Sequence, residues 1–336
     1  QDIQNEVDNL VTEVDRVSET TKFNETYLLK GDAGTKTINM KAHDAGLKGT
    51  LTDNGDGTAT FVMDALKAGD KVSIGGKTYT IGSDEAKVDA WFADNKITDT
   101  ANAQITVNGK TYTYYGETAA TGTTGKINKG WYAAKPTAPT DKDDETTPIY
   151  ADVNAIKDAV KAGATAETGG KTITALNDAK DNLTGDAKAD GISDTDATVI
   201  SKNKAYELAS KELLKANQIG DTENSAKVGV GDVDTSVDLT NGTGTFKIQT
   251  GSAKVANTLS FSLHVGSDAD MTNKIQVNID SMDSASLGIK GINVKDDSGN
   301  AATYAIDAIS DAISKVSSQR SSLGAVQNRL EHTINN

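Results

Sequence analysis

The sequence contains no cysteine, few aromatic residues and only 3 prolines. Without cysteine the chain can form no disulfide, no thiolate nucleophile and no cysteine-ligated metal site. Aromatic residues make up 5% of the 336 residues and hydrophobic residues 36%, both low for a protein built around one large core. The composition therefore predicts several small cores built from Ala, Val, Ile and Leu.

The chain also lacks an excess of positive charge and any long apolar run. Its formal net charge is −14, which argues against binding nucleic acid or an anionic membrane surface, because both need clustered basic residues. No run of about 18 apolar residues occurs, so we expect no membrane insertion. Acidic charge of this size favours solubility.

The sequence offers no complete catalytic or metal-binding motif. Two Gly-Gly-Lys-Thr strings, at 75–78 and 169–172, lack the glycine that a phosphate-binding loop has five positions before its second glycine. The segment 52–63 carries Thr52 and Met63 where an EF-hand loop has its first and last carboxylates. The histidines are isolated, and none lies in an HExxH motif. We therefore expect no enzyme activity, no cofactor and no metal ion.

Apolar residues near the start of the chain repeat with the heptad spacing of a packed helix. Acidic and basic residues fill the positions between them, which is typical of a solvated face. Neither glycine nor proline interrupts the stretch, and we expect the helix to end near 20–22. The residues of this stripe are Ile3, Val7, Leu10, Val14 and Val17.

The end of the chain carries a second heptad stripe, longer than the first. Two of its positions are polar, Arg320 and Gln327, and polar residues in such a seam commonly fix register or partner. Ser298-Gly299-Asn300 is a suitable turn before the helix. The apolar members of the stripe are Ile306, Ile309, Ile313, Val316, Leu323, Leu330 and Ile334.

Each stripe needs a partner, because a lone helix of about 20 residues is only marginally stable in water. The simplest partner is the other end of the same chain, and we expect the two helices to pack antiparallel as a stalk. Both stripes are still in phase where the sequence begins and ends. We therefore expect the chain to be the central part of a longer protein whose helices continue at both ends.

Both ends carry strings that resemble the bacterial flagellins. Residues 13–18 read EVDRVS and residues 21–24 read TKFN, similar to the family pattern EIDRVS…TxFNG. Residues 316–330 read VSSQRSSLGAVQNRL, close to the family string VSSxRSxLGAVQNRL. Glu25 departs from the pattern, since the family usually has glycine there.

A third stretch, at 263–294, resembles the flagellin hairpin and short turn that pack beside the stalk helices. Alternation of Ile275, Val277 and Ile279 with polar residues predicts a half-buried strand within it. The variable insertion enters before this hairpin, because a long intervening segment separates it from the first helix. The resemblance says little about that middle segment.

The resemblance implies an extracellular structural subunit of the flagellar filament, assembling with other flagellin subunits through the stalk. It also implies that the terminal polymerisation helices of the family are absent from this chain. The residues expected to pack the stalk are Ile3, Val7, Leu10, Val14, Val17, Ile313, Val316, Leu323 and Leu330.

Flagellins are recognised by Toll-like receptor 5 through the same stalk, so the resemblance implies this receptor as a further partner. Glu6 matches a family contact residue, and Arg329 lies in the matching C-terminal strip. An arginine-bearing helix that the family uses for this contact precedes the sequence, so we expect the chain to bind the receptor weakly. The candidate receptor or subunit contacts are Glu6, Arg320, Gln327 and Arg329.

The sequence predicts β-hairpins and a few short helices in the middle of the chain. Two related hairpins turn at Gly75-Gly76 and Asn108-Gly109, with a short helix at 84–95 between them, and 53–57 forms another turn. Further helices are predicted near 151–162, 173–183 and 197–217, and strand-like alternation at 233–239 and 246–248.

These features predict an α+β, multi-domain protein: an antiparallel helical stalk with a β-hairpin, carrying inserted β-rich α+β subdomains. The predicted segments are a discontinuous stalk domain at 1–38 with 258–336, an inserted variable subdomain at 39–135, a proline-containing linker at 136–148 and a second inserted subdomain at 149–257.

An alternative function is that of a surface adhesin, with the inserted domains binding glycans. Exposed aromatic side chains would be needed for it, and burial of these side chains would exclude the idea. The residues concerned are Tyr114, Tyr115, Trp131 and Tyr132.

Overall fold

A computed structural model of the chain describes residues 2–179, 189–239, 241–265, 274–296 and 299–334. Their architecture is α+β, with two long helices near the ends of the chain and short, mostly antiparallel strands between. The helices are α1 (Asp2–Thr20), α2 (Glu85–Asp94), α3 (Val153–Lys161), α4 (Lys202–Asn217), α5 (Ser284–Leu287) and α6 (Asn300–Ile334).

The strands of the described residues are short and pair into seven small sheets. In chain order they are β1 (Lys22–Phe23), β2 (Thr26–Tyr27), β3 (Asp32–Asn39), β4 (Gly49–Asp53), β5 (Thr58–Met63), β6 (Lys71–Ile74), β7 (Lys77–Ile81), β8 (Gln104–Val107), β9 (Lys110–Tyr115), β10 (Lys126–Ile127), β11 (Gly130–Tyr132), β12 (Glu145–Thr146), β13 (Thr165–Thr168), β14 (Lys171–Thr174), β15 (Val199–Ile200), β16 (Lys227–Val230), β17 (Thr245–Gln249), β18 (Ser252–Asn257), β19 (Leu259–His264) and β20 (Lys274–Ile279).

The chain forms two compact units. The first unit comprises Gln1–Asp64, Leu208–Val237 and Thr243–Asn336, and the second comprises Ala65–Glu207 and Asp238–Gly242. This division differs from the predicted segments, because three sheets combine strands from both predicted inserts. They are β16-β17-β5-β4, β11-β9-β8-β13-β14 and β15-β7-β6. The proline-containing segment 136–148 lies inside the second unit, so it does not link the two units.

The first unit contains the four-stranded antiparallel sheet β16-β17-β5-β4 and three separate strand pairs, β1 with β2, β3 with β18 and β19 with β20. Phe61 on β5 lies opposite Phe246 on β17, and the two buried rings stack with their centroids 6.4 Å apart. The predicted half-buried strand is confirmed as β20, in which Ile275, Val277 and Ile279 are buried and the residues between them are exposed.

The second unit is built on the antiparallel sheet β11-β9-β8-β13-β14, with α2 and α3 contributing to the same core. Trp131 is completely buried there, and its indole Nε1 donates to Asp99 Oδ1 at 2.8 Å. Tyr114 and Tyr132 are also buried, and Tyr115 is half-buried. The prediction of exposed aromatic side chains for glycan binding is therefore wrong, because Tyr114 and Trp131 belong to the core of their own unit and Tyr132 is also buried.

Both predicted glycine turns are confirmed. Gly75 and Gly76 join β6 to β7 with φ of 57° and 72°, and Asn108 and Gly109 join β8 to β9 with φ of 48° and 79°. A two-residue turn with two positive φ angles matches the twist of the strands it joins, which is why such dipeptides are favoured there. The predicted helix at 84–95 is α2, capped by the side chain of Asp84.

Two predictions for the middle of the chain are wrong. The expected helix at 173–183 begins within strand β14, which pairs with β13, and residues 180–183 lie outside the described residues. Alternation at 233–239 does not form a strand, because a turn closes at 230–235, where the Val230 N–H donates to the Thr235 carbonyl. In both places long-range pairing or turn geometry overrides the local apolar pattern.

The turn between β1 and β2 is strained by its second residue. Asn24 and Glu25 have φ of 49° and 65°, a conformation that suits glycine better than a residue with a Cβ atom. We expect Glu25→Gly to raise the free energy of unfolding by about 0.5–1 kcal/mol, measured by chemical denaturation. The exposed ion pair of Glu25 with Lys22, 3.6 Å long, contributes too little to reverse this.

Glu19→Gly is the matched control, because Glu19 is exposed and lies within helix α1. There the same change should lower the free energy of unfolding by up to about 1 kcal/mol. A loss of stability with Glu25→Gly similar to that of the control would contradict the assignment of strain to this turn.

Candidate assembly surface on the two long helices

The apolar stripes predicted on α1 and α6 are largely exposed in the single chain. Ile3 is 74% exposed, Ile306 64% and Ile313 61%, values far outside the range of core residues. Leu10, Val17, Ile309, Val316 and Ile334 are also exposed, and Val7, Val14, Leu323 and Leu330 are half-buried.

The most deeply buried side chains of α1 are polar. Gln4 is buried, and its side chain donates to the Ile292 carbonyl at 2.9 Å and accepts from the Val294 N–H at 2.7 Å. Asp15 accepts from the backbone N–H of Ser284 at 2.7 Å and from its hydroxyl at 3.0 Å. These contacts supply hydrogen-bond partners to backbone groups of the irregular segment that lies along the helix.

The inward face of α6 is made mainly of alanine. Its buried residues are Tyr304, Ala305, Ala308 and Ala312. The exposed Ile306, Ile309 and Ile313 each follow one of these by a single position, and one residue of an α-helix corresponds to a rotation of about 100°. The stripe of branched apolar residues therefore points to one side of the face that the chain itself buries.

On α1 the stripe is displaced by one position in the opposite direction. The buried residues of α1 are Gln4 and Ser18, one position after Ile3 and Val17 of the stripe. The Ser18 hydroxyl donates to the Leu29 carbonyl at 2.7 Å. Sequence periodicity identified the apolar face of each helix, but the chain itself buries only the edge of that face, for example at Val7.

Helices α1 and α6 run in the same direction, so the prediction of an antiparallel stalk is wrong. Val7, early in α1, packs on the small cluster that contains Ala308, early in α6. Asp15, further along α1, contacts the start of α5, and Lys315, further along α6, donates to a carbonyl of the same short helix at 2.7 Å. Early positions of the two helices therefore contact one shared segment, and later positions of both contact another.

The path of the connecting segment explains this arrangement. Helix α5 ends at Gly288, whose φ of 75° is the left-handed conformation that lets the chain turn. The chain then runs back along α1, so that Ile292 and Val294 reach Gln4 near the helix start. Helix α6 consequently begins beside the start of α1.

The β19–β20 hairpin is attached to α6 by a glutamine. The Gln319 side chain donates to the Asn278 carbonyl at 2.9 Å and accepts from the Asp280 N–H at 3.2 Å. Sequence reasoning missed Gln319, Asp15 and Ser18 as contact residues, although all three lie inside the strings that carried the flagellin resemblance.

The candidate receptor or subunit contacts lie on the same two helices. Glu6, Arg320, Gln327 and Arg329 are all exposed, and the Gln327 side chain donates to Glu331 Oε1 at 3.0 Å. Among the described residues, no helix is long and apolar enough to cross a membrane. What this surface offers is exposed branched apolar area flanked by polar groups, which suits packing against another helix.

The C-terminal helix and other parts of the chain are similar to known proteins. Residues 306–336 match the bacterial flagellin C-terminal helical region. A protein named "Putative flagellin YvzB" from Bacillus subtilis (strain 168) is 47% identical over 76 residues, 23% of this chain and 46% of that protein. The flagellin of the same strain is 40% identical over 113 residues, 28% of this chain and 36% of that protein.

A third relative is the flagellar filament 33 kDa core protein of Treponema phagedenis, 36% identical over 96 residues, 27% of this chain and 32% of that protein. The chain thus spans less than half the length of each of these relatives. The matched C-terminal helix and the three flagellar relatives thus show that parts of the chain are similar to bacterial flagellins.

Proposed function

We propose that the chain is a structural subunit of the bacterial flagellar filament and that α1 and α6 supply contacts between subunits. The observation that carries the proposal is the exposure of heptad-spaced apolar residues on two helices whose inward faces are already occupied. A single soluble chain gains nothing from such stripes, whereas an assembling subunit buries them against its neighbours.

The energy available from these contacts is substantial. Burying one isoleucine, leucine or valine side chain contributes about 1.5–3 kcal/mol. Several such side chains lie on each helix, so burial of even part of each stripe offsets the entropy lost when a subunit joins a filament. Because the two partners of such a contact use different surfaces, repetition of the contact generates an open helical filament.

The second unit is the variable part of the subunit in this proposal, and it faces the solvent outside the bacterium. Its composition supports the assignment, since its loops and strands are rich in threonine, aspartate and glycine and its aromatic residues are used in its own core. Assembly contacts would then belong to the first unit alone.

The proposal is tested by isolating filaments from the bacterium that makes this protein. The chain should be their main component, and deletion of its gene should remove the filaments and motility. A complemented strain that carries the gene in trans provides the control. Normal filaments in the deletion strain, or filaments that do not contain the chain, would refute the assignment.

Recognition by Toll-like receptor 5 is a further part of the proposal and rests on the family resemblance. Exposure of Glu6 and Arg329 supports their role as contacts. A receptor reporter assay with Glu6→Ala and Arg329→Ala proteins tests this role. Glu19→Ala is the control, because Glu19 is an exposed residue of α1, the helix that carries Glu6. Equal responses from all these proteins would exclude the two residues as contacts.

A further inference from the structure

A half-open cleft of about 750 Å³ lies in the first unit, between the polar side of α6, strand β3 and the segment around α5. Apolar side chains such as Met40 and Leu287 line part of it, and charged and hydroxyl groups line the rest. The polar lining includes Lys36, Lys41, His43, Asp280, Asp311, Lys315, Ser281 and Ser286.

Two serine side chains of this cleft are buried without a hydrogen-bond partner. Ser281 is 3% exposed and Ser286 is 6% exposed. Neither hydroxyl forms a hydrogen bond with any residue in the part of the chain that the structure describes. Buried hydroxyls are normally paired, so two orphans in one cleft indicate a ligand that accepts hydrogen bonds.

Two of the three carboxylates that line the cleft, Asp280 and Asp311, have a lysine partner, whereas Asp53 forms no ion pair with any of the described residues. Asp280 lies 3.0 Å from Lys36 Nζ and also accepts from the Thr258 hydroxyl. Asp311 lies 2.9 Å from His43 Nε2 and 3.6 Å from a lysine of the same segment. The charges of Asp280 and Asp311 are therefore partly balanced by lysines.

Lys315 is the remaining cation of the cleft. Its Nζ donates to the Ser286 carbonyl at 2.7 Å, which uses one of its three protons. Burial of the ammonium group lowers the pKa of Lys315, although Asp280 and Asp311 act in the opposite direction. No carboxylate lies within 4.0 Å of this ammonium group among the described residues.

We propose that this cleft binds a small oxyanion, a carboxylate or phosphate group, through Lys315 Nζ and the hydroxyls of Ser281 and Ser286. One oxyanion would accept from the ammonium and from both orphan hydroxyls, and charge-assisted hydrogen bonds of this kind are the strong ones. The proposal does not depend on filament assembly, because all the residues belong to the first unit of one chain.

The test is a calorimetric titration of the purified chain with inorganic phosphate at constant ionic strength. We expect saturable binding that Lys315→Met weakens about tenfold or more, since this change removes a hydrogen bond from a charged donor. Lys290→Met is the matched control, because Lys290 is exposed and lies outside the cleft, and binding should be unchanged.

Serine variants separate binding from folding. Ser281→Ala and Ser286→Ala should weaken phosphate binding severalfold while the midpoint of thermal unfolding stays the same or rises, because each removes a hydroxyl that has no partner. Absence of saturable binding, or equal binding by the wild type and Lys315→Met, would overturn the proposal.

Two further measurements, competition by acetate and the association state of the chain, distinguish the source of the oxyanion. Competition between acetate and phosphate, together with suppression of self-association by phosphate in sedimentation equilibrium, would identify an acidic side chain of a second copy. Phosphate binding with no change in association state would identify a free solute. Both outcomes require the same three donors.

Discussion

Replacing Ile306 and Ile313 together by serine should abolish filament formation while leaving the thermal stability of the chain almost unchanged. Both side chains are more than half exposed in the single chain, so their loss costs the fold little. In an assembled filament each would lose about 1.5–3 kcal/mol of burial, which corresponds to a fall in association of about a hundredfold or more for the pair. Electron microscopy of cells carrying the substituted gene measures assembly, and calorimetry of the purified chain measures stability.

Two single substitutions serve as controls for this double substitution, one for assembly and one for stability. Ser310→Ala changes an exposed polar residue of the same helix outside the stripe, and filaments should remain normal. Ala305→Ser changes a residue of the inward face, which is 1% exposed, and should lower the unfolding temperature. Normal filaments with both isoleucines replaced would show that the exposed stripe of α6 is not an assembly surface.

Trp131→Ala should unfold or loosen the second unit while the first unit stays folded. The indole is completely buried, packs edge-on against Tyr114 with ring centroids 5.6 Å apart, and donates to Asp99. Truncating a buried tryptophan costs about 3–5 kcal/mol, a large share of the stability of a small unit. Hydrogen exchange should accelerate at amides of β8, β9 and β11 but not at those of β5 and β17.

Ile149→Ala is the matched control for the tryptophan variant, because Ile149 belongs to the same unit but is 53% exposed. Its effect on exchange should be small. Equal acceleration in the sheets of both units with Trp131→Ala would show that the two units do not fold as separate cores.

The elements predicted correctly from the sequence are those that depend on local chemistry. Gly75-Gly76 and Asn108-Gly109 define their hairpins because two adjacent residues with positive φ are sufficient to fix the turn. Helix α2, predicted at 84–95, is stabilised locally by the Asp84 cap and buries Val88 and Phe92. The two long helices follow from heptad periodicity, which extends over many residues.

Long-range relations could not be derived in this way. Strand β5 pairs with β17 from a distant part of the chain, so the domain boundaries depend on contacts that leave no local signal. The direction of α6 depends on the path of the segment after Gly288, which was not predicted. Apolar periodicity identifies which face of a helix is apolar, but it cannot tell whether the same chain or another copy covers that face.

The inward face of α1 shows why the candidate site was only partly predictable. Gln4 and Asp15 are polar, so a search for apolar stripes assigns them to solvent. In the structure they bind backbone groups of 284–294, a stretch without long helices or strands that needs such partners. With the inward positions taken by these residues, the branched apolar side chains remain outside.

The most direct test of the account is the reactivity of a single thiol placed on the exposed stripe. Because the chain has no cysteine, Ile313→Cys provides one reporter, and Lys142→Cys provides a control on an exposed residue of the second unit. We expect alkylation at position 313 to be slow in intact filaments and fast after dissociation, while position 142 reacts fast in both. Equally fast alkylation at position 313 in filaments and in dissociated subunits would contradict the assignment of this stripe to subunit packing.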